Sequence, residues 1–389
     1  MKVGINLRYL QRTITGIERA TIEVINALVK LEDDLTLMGY ITNRAFADLE
    51  IENTLFNCHK LEIKKSTLFH EDIGSRLYWD MVQLGKKVSC DNVDLFWGPS
   101  FSIPISIKCP SIVTIHDLAY EYFPKAYTPA MRLWLKIIPK ISVLKSTRIL
   151  TISENSKKDI IKFLNVESDR IDVVSWACNA NFRFMPENKN VFQKILNYYG
   201  INAPYILTVS QISPRKNLDT LINAFALLKK NPSFLHKLVI VGNNGWLYSS
   251  IYEIVKREGL ANEVIFTGVI PDNDLIAIYN MADLFIFPSL YEGFGLPVLE
   301  AMSCGLPVIC SNTSSLPEVV GNAGILFPPK DIYSLVNAVL GLLENPWLYK
   351  DLRERGLIKA SEYSWEFTAK QIIKIFYDLR KYNHTATRH

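Results

Sequence analysis

From Tyr205 onward the chain alternates short apolar runs with helix-sized segments, and that rhythm restricts the possible folds more than any other feature. Tyr205–Val209, Leu238–Val241, Val264–Phe266, Leu284–Phe287, Pro307–Cys310 and Ile325–Phe327 read as strands. Runs with so few polar residues suit strands buried on both faces, and the intervening segments supply the helical crossovers that parallel neighbours need. The second half is therefore expected to be an α/β domain with a parallel sheet. The first half repeats the pattern more loosely, with strand-like stretches at Lys2–Leu7, Val93–Trp97, Ser111–Ile115, Arg148–Ser153 and Ile171–Trp176. After the first of these, polar residues Arg8–Thr15 lead to Gly16 and a helix with apolar spacing at Ile17, Ala20, Val24 and Leu28. A length of 389 residues suits two domains of roughly 150–200 residues each. The stretch Asn181–Pro204, which carries Pro186 and Pro204 and lacks strand pattern, is read as holding the connection.

The stretch Ser289–Glu300, SLYEGFGLPVLE, is the part richest in chemistry. It follows a buried-strand run and opens a helix expected to begin at Pro297. A strand thus delivers Glu292 into a loop, and a helix start delivers Glu300 one turn in. Gly293 and Gly295 let the backbone between them take unusual angles and lie close to a ligand. Free N–H groups at the helix start make an anion site, and carboxylates accept hydrogen bonds from hydroxyls. A ligand both hydroxylated and anionic, such as a sugar nucleotide, matches this set. The alternative from spacing alone is a strand-to-helix turn with two solvated glutamates.

Other candidates sit where strands end. Ser210 follows the Tyr205 strand, and Arg215-Lys216 stand at the start of the next helix, where their charges oppose its dipole. An anion such as a diphosphate would remove that conflict. His116 ends the Ser111 strand, where open α/β sheets collect ligands. Alone, it reads more readily as a structural histidine. Asp272-Asn273-Asp274 has the spacing of a metal-binding Asp-x-Asp, but its place after Pro271 and before an apolar helix reads as a helix cap.

Glu292 and Glu300, with seven residues between them and followed by Ala301-Met302-Ser303-Cys304-Gly305-Leu306-Pro307-Val308, resemble the E-x7-E motif of family 4 retaining glycosyltransferases. The resemblance runs over nearly the whole chain, strongly from about Tyr205 to Pro329. It implies a GT-B fold, two Rossmann-like domains with parallel sheets facing across a cleft. Residues 1–185 would form the acceptor-side domain, with the terminal helix 365–389 packed back on it, and 186–364 the nucleotide-sugar domain. It further implies that Glu300 holds the donor ribose and that Glu292 and His116 lie by the transferred sugar. Arg215 and Lys216 would take the diphosphate, the backbone of Phe294, Gly295 and Leu296 the sugar and phosphates, and Ile270 the base. Ser210 joins the donor-binding set, and Gly16 would lie over the donor. The chain departs from the family in having Gln211 where the first cation usually stands, and Trp176-Ala177-Cys178-Asn179 where an Asn-Gly-Val-Asp-like turn is common.

The activity implied is transfer of a hexose, with retention, from a nucleoside diphosphate sugar to a glycan or lipid-linked saccharide acceptor in polysaccharide synthesis. GDP-mannose is the favoured donor, with no metal and no cofactor required. The rival readings are an epimerase-like sugar-nucleotide enzyme and a sugar-nucleotide-binding protein without turnover. A glycoside hydrolase also uses two carboxylates, but its alcohol leaving group gives no reason for Arg215 and Lys216.

A net charge of +4 gives no reason to expect a nucleic-acid partner. Six cysteines, Cys58, Cys90, Cys109, Cys178, Cys304 and Cys310, show no metal-ligand spacing and are read as reduced. No signal-peptide shape opens the chain and no run of ~18 uncharged apolar residues occurs, so cytoplasmic residence is expected. Between Glu121 and Glu154 there is no acid, while Lys125, Arg132, Lys136, Lys140, Lys145 and Arg148 alternate with apolar residues. Residues 125–148 therefore suit peripheral contact with an anionic inner membrane face, or, the reading favoured from sequence, a packed helix interrupted at Pro139 with a solvated basic side.

Overall fold

The computed structural model describes residues 1–10, 16–41, 60–65, 78–202 and 204–386, with side chains as far as Lys381. The chain divides into two compact units, Met1–Ala177 with Ser364–His389, and Cys178–Tyr363.

The first unit holds a sheet of β1 (Lys2–Asn6), β2 (Thr36–Ile41), β3 (Leu61–Lys65), β4 (Leu95–Gly98), β5 (Ser111–Thr114), β6 (Arg148–Thr151) and β7 (Ile171–Val173). Their order is β3-β2-β1-β4-β5-β6-β7, and every neighbouring pair is parallel. The chain builds outward from β1 to β3 and then returns to the other side of β1, so β1 and β4 flank the point where the order reverses. Sequence pattern alone did not indicate β2 or β3. Gly39 interrupts the run of β2, and a Cβ there would come within 2.7 Å of Leu7 Cδ1 and 2.8 Å of Ile63 Cδ1, so those side-chain ends would have to shift. Edge strand β3, Leu-Glu-Ile-Lys-Lys, is mostly charged, as edges that must resist pairing often are.

Helix α1 (Gly16–Leu31) buries Ala20, Val24, Ile25 and Leu28 on one face. They join Val3, Ile5, Leu37 and Leu95 in a core completed by Ala369, Ile372, Phe376 and Leu379 of the C-terminal helix, Trp365–Ala386. Helix α2 (Pro129–Lys145) starts at Thr128, whose hydroxyl accepts from Met131 N at 3.3 Å, with Pro129 in the first turn. Contrary to the expected break, it runs through Pro139, which is buried with Leu135, Ile138 and Val143 on the packed side. Helix α3 (Glu154–Leu164) is capped by Ser153 and ends at Asn165 in the left-handed conformation, φ 54°.

The second unit holds β8 (Tyr205–Val209), β9 (Lys237–Val241), β10 (Val264–Gly268), β11 (Leu284–Phe287), β12 (Val308–Ser311) and β13 (Gly324–Phe327). This sheet is also all parallel, in the order β10-β9-β8-β11-β12-β13, so β8 and β11 flank its reversal point. Its inner strands β8, β9, β11 and β12 are buried and meet Leu221, Phe225, Leu335 and Val339 in a core, while the edge strands β10 and β13 are partly exposed.

Residues 178–185, expected in the first domain, lie in the second unit. Specific contacts hold them there. Cys178 Sγ lies 3.1 Å from Ser303 Oγ, Phe182 packs edge-on against Tyr279, and Asn280 Nδ2 donates to Arg183 O at 3.0 Å. The stretch read as a linker also contains helix α4 (Lys189–Tyr198), which buries Phe192 and Leu196.

Candidate active site

In the second unit the loops after β8 and β11 leave neighbouring strands at the reversal point. Loops there diverge and open a crevice at the carboxyl edge of the sheet. Pro214–Lys216 forms one turn of 3-10 helix, and Asn217, at φ 55°, starts helix α5 (Leu218–Leu228). The two cations therefore stand before the helix, not inside its first turn as the sequence suggested. Asn217 is held in its left-handed conformation by its side chain, which donates to Pro288 O at 2.9 Å and to Pro329 O.

Lys216 Nζ lies 2.5 Å from Glu292 Oε1, and Arg215 Nη1 lies 3.1 Å from Glu292 Oε2. Arg215 also donates to Tyr291 O at 2.6 Å, Ser289 Oγ donates to Glu292 Oε1, and Lys216 sits 5.1 Å from the Phe287 ring centroid. Burial alone would raise the Glu292 pKa. The charges of Lys216 and Arg215, with the hydrogen bonds from Lys216 and Ser289, outweigh it and hold the carboxyl at about 2. The cations thus have a counter-ion within the chain, a partner that sequence spacing across 76 residues did not disclose.

Beyond Glu292 the backbone is fixed by hydroxyls from the loop after β12. Glu292 N donates to Ser314 Oγ at 2.9 Å, and Ser315 Oγ donates to Glu292 O at 2.9 Å and Phe294 O at 2.8 Å. These serines were missed in the sequence, although Thr313-Ser314-Ser315 is a hydroxyl cluster just past a strand. Gly295 adopts φ 109°, and a Cβ there would come within 2.8 Å of Leu316 Cδ2. Only glycine fits that turn comfortably. Helix α8 is preceded in the chain by α6 (Ser249–Arg257) and α7 (Asp272–Met281), and itself runs Leu296–Ser303, one residue earlier than expected. Phe294 is buried with its ring edge against Tyr363, centroids 5.6 Å apart.

Glu300 projects from α8 half-buried, and its Oε2 accepts from Tyr279 OH at 2.9 Å. Ser210 is buried at the end of β8, and its Oγ has no hydrogen-bond partner among the described residues. Gly242, at φ 141°, faces Ser210 O so closely that a Cβ would clash at 2.1 Å. Ile270 is buried just past β10, beside exposed Val269. Asp272 and Asp274 lie in the first turn of α7, whose N-cap is Pro271, so they complement its dipole rather than cap it. Asp274 accepts from Tyr199 OH at 2.7 Å. Among the described residues no group of three His, Cys, Asp or Glu side chains is placed to hold a metal ion.

In the first unit His116 follows β5 and is buried. Nε2 lies 2.8 Å from Pro99 O, so the proton sits on Nε2, and Nδ1 is an acceptor with no partner among the described residues. Its ring packs on Trp176 at 5.0 Å and Phe101 at 5.7 Å. Burial drives its pKa down to about 4, with the Pro99 hydrogen bond opposing. Ser153 and Ser156 hold its backbone, since Ser156 Oγ donates to His116 O at 3.0 Å. A cavity of about 20 Å³ lined by Thr21, Trp97, Thr114, His116, Thr151 and Trp176 has room for one water-sized group. Gly16 opens α1 at an exposed position where, among the described residues, a Cβ would meet nothing within 4 Å.

Residues 14–181 match the family model described as Glycosyltransferase Family 4, and 194–358 match Glycosyl transferases group 1. O-antigen chain mannosyltransferase B of Escherichia coli is 34% identical over 287 residues, 72% of this chain and 74% of that protein. O-antigen chain mannosyltransferase RfbU of Salmonella typhimurium is 26% identical over 349 residues, 88% of this chain and 91% of that protein. The crystal structure of Anabaena HepE in complex with UDP and glucose matches with a TM-score of 0.75 at 19% identity, over 97% of this chain and 100% of that one. That likeness establishes the GT-B fold, and the sequence matches establish the rest: the chain belongs to glycosyltransferase family 4 and is a hexosyltransferase.

Proposed function

We propose that the protein transfers mannose from GDP-mannose, with retention of anomeric configuration, to a glycan or lipid-linked saccharide in O-antigen-type polysaccharide synthesis. The observation that carries this is the pairing of partly exposed Lys216 and Arg215 with buried Glu292 at the sheet's reversal point, next to a helix start shaped by Gly295. Mannosyl transfer is favoured by the two O-antigen relatives, both of them named as mannosyltransferases. The reaction would take place in the cytoplasm, where sugar nucleotides are held, at the inner membrane face.

Two cations balanced by one carboxylate leave one net positive charge for a diphosphate. Lys216 and Arg215 would bind its oxygens, with the α8 amides and Ser210 Oγ as further donors. Glu300 would accept from ribose hydroxyls, the backbone at Ile270 would meet the base, and the Phe294–Leu296 amides and Gly16 would line donor and sugar. Glu292 would keep the cations oriented while the remaining lone pair of its Oε2 accepts from a sugar hydroxyl, and His116 would lie by the sugar. The bond between the anomeric carbon and phosphate oxygen breaks with its electron pair moving to the diphosphate, where the cations stabilise the growing charge. The acceptor hydroxyl forms the new bond on the same face, and its proton passes to the departing phosphate. No metal enters this scheme.

Incubation with GDP-mannose and a mannose-terminated acceptor should release GDP and form an α-linked product, read by proton NMR, with the rate unchanged in excess EDTA. An inverted product would overturn retention. A rate lost in EDTA and restored by Mn²⁺ would overturn metal independence. Isomerised donor without acceptor transfer would favour an epimerase.

A further inference from the structure

Between edge strand β7 and the C-terminal helix the first unit leaves a cavity of about 730 Å³, within the range of roughly 300–1,000 Å³ usual for small-ligand sites. One wall comes from Arg148, Asp169 and Asp172 at the start of β6 and around the start of β7. The other comes from Gln371, Lys374 and Asp378, whose spacings of three and four put them on one face of the helix. Val173 and Ile375 add an aliphatic floor. Arg148 is already committed, since Nε donates to Asp172 Oδ2 at 2.9 Å and Nη2 to Asp172 Oδ1 at 2.5 Å. Arg170, also in the lining, donates through Nη2 to Val143 O at 2.8 Å and Ser146 O at 2.6 Å and so closes the end of α2. Each Asp172 oxygen keeps a lone pair. The side chains of Asp169, Gln371, Lys374 and Asp378 form no hydrogen bond or ion pair of 4 Å or less among the described residues.

We infer that this cavity is an accessory glycan site, holding mannose residues of the acceptor chain away from its reacting end. The lining selects the occupant. Three acids, Asp169, Asp172 and Asp378, offset three bases, Arg148, Arg170 and Lys374, so the walls carry no field that would gather a polyphosphate or a polyamine. What they offer is acceptors on the aspartates, donors on Lys374, and both on Gln371. Sugar hydroxyls both donate and accept, and the C–H face of a pyranose ring can lie on Val173 and Ile375. A peptide strand added to β7 would find little to pair with. Val174 N donates to Thr151 O at 2.8 Å, so Asp172 and Val174 turn their backbone groups toward β6. Ile171 N donates to Ser168 O and Ile171 O accepts from Lys157 Nζ at 3.0 Å, which leaves Val173 as the one outward residue of β7 with open backbone groups among the described residues. The cavity reaches the end of the sheet opposite the carboxyl edge where His116 stands, so a sugar held in it is not the one that reacts. The inference rests on the reading of a mannose-containing acceptor.

The test is titration calorimetry of the full chain with α-mannotetraose, alone and with GDP at saturation, followed by transfer kinetics with α-mannotetraose and α-mannobiose as acceptors. Mannotetraose should bind, and GDP should not displace it. Gln371→Ala with Lys374→Ala should weaken that binding about tenfold, and Asp169→Ala on the opposite wall should do the same, as expected for losing hydrogen bonds to charged groups. Lys374 and Asp169 are exposed and Gln371 is half-buried, so the melting temperature should hold; if the double variant melts early, Asp169→Ala decides. In turnover the double variant should raise KM for mannotetraose about tenfold while kcat and the KM for mannobiose stay at the parent values. A merely structural role would not split the two acceptors. No binding of mannotetraose, binding that the variants leave intact, or binding that GDP abolishes would overturn the proposal. Binding that the variants weaken, in a parent protein that transfers no mannose, would keep the cavity site and remove the transferase reading. Transfer to mannobiose without such binding would do the reverse, so the two readings fail separately.

Discussion

Glu292 is the residue on which the candidate site balances, because it is buried and neutralises two cations at once. Glu292→Gln leaves both without their counter-charge, so urea unfolding should show a loss of about 3 kcal/mol, in the range for breaking a buried pair. The sign of its pH dependence follows from a folded pKa of about 2 against an ordinary 4.5. Its contribution is whole above 4.5 and drains away as pH falls through 2. His116 works in a different window. Its folded pKa of about 4 lies below the ordinary 6.5, so between those values the unfolded chain binds a proton that the folded chain refuses. Above pH 6.5 it has no effect, and by pH 4 it should have removed about 3 kcal/mol of stability. His116→Gln should flatten that slope when unfolding is measured at pH 7 and pH 4.5; an unchanged slope would place the titration elsewhere.

At the scale of elements, the turn from β11 into α8 depends on one backbone angle. Gly295→Ala forces a side chain into φ 109° and against Leu316, so it should cost about 1–3 kcal/mol in thermal unfolding and weaken donor binding with it. That glycine, and the acids on either side of it, were legible in the sequence because a strand, a Gly-x-Gly turn and a Pro-led helix follow one another within a few residues. The Lys216–Glu292 pairing was not, since it exists only because β8 and β11 are neighbours, and sheet order is not written in local pattern. For the same reason the charges of Arg215 and Lys216 seemed to need an outside anion when Glu292 already supplies one. Strands buried on both faces announced themselves as apolar runs, whereas β2, broken by Gly39, and charged edge β3 did not. Helix α2 continued through Pro139 because its packed face, Leu135 to Val143, outweighs one missing amide donor.

At the scale of the whole molecule, two units are threaded so that the last helix returns to the first. Ala369, Ile372, Phe376 and Leu379 are buried with α1 and β1, a quantity of apolar surface that the first unit cannot lose without exposing its core. Deleting residues 365–389 should therefore abolish amide-exchange protection in β1, α1 and β4 while β8, β9 and β11 keep theirs, as read by hydrogen-exchange mass spectrometry. Equal loss in both sheets would mean that the units do not hold separate cores. The account as a whole stands on a diphosphate bound by Lys216 and Arg215, and titration calorimetry of the full chain with GDP tests it most directly. Lys216→Ala should weaken GDP binding on the order of tenfold or more, as expected for loss of a charge-assisted contact. An affinity for GDP equal to that of the parent protein would contradict it.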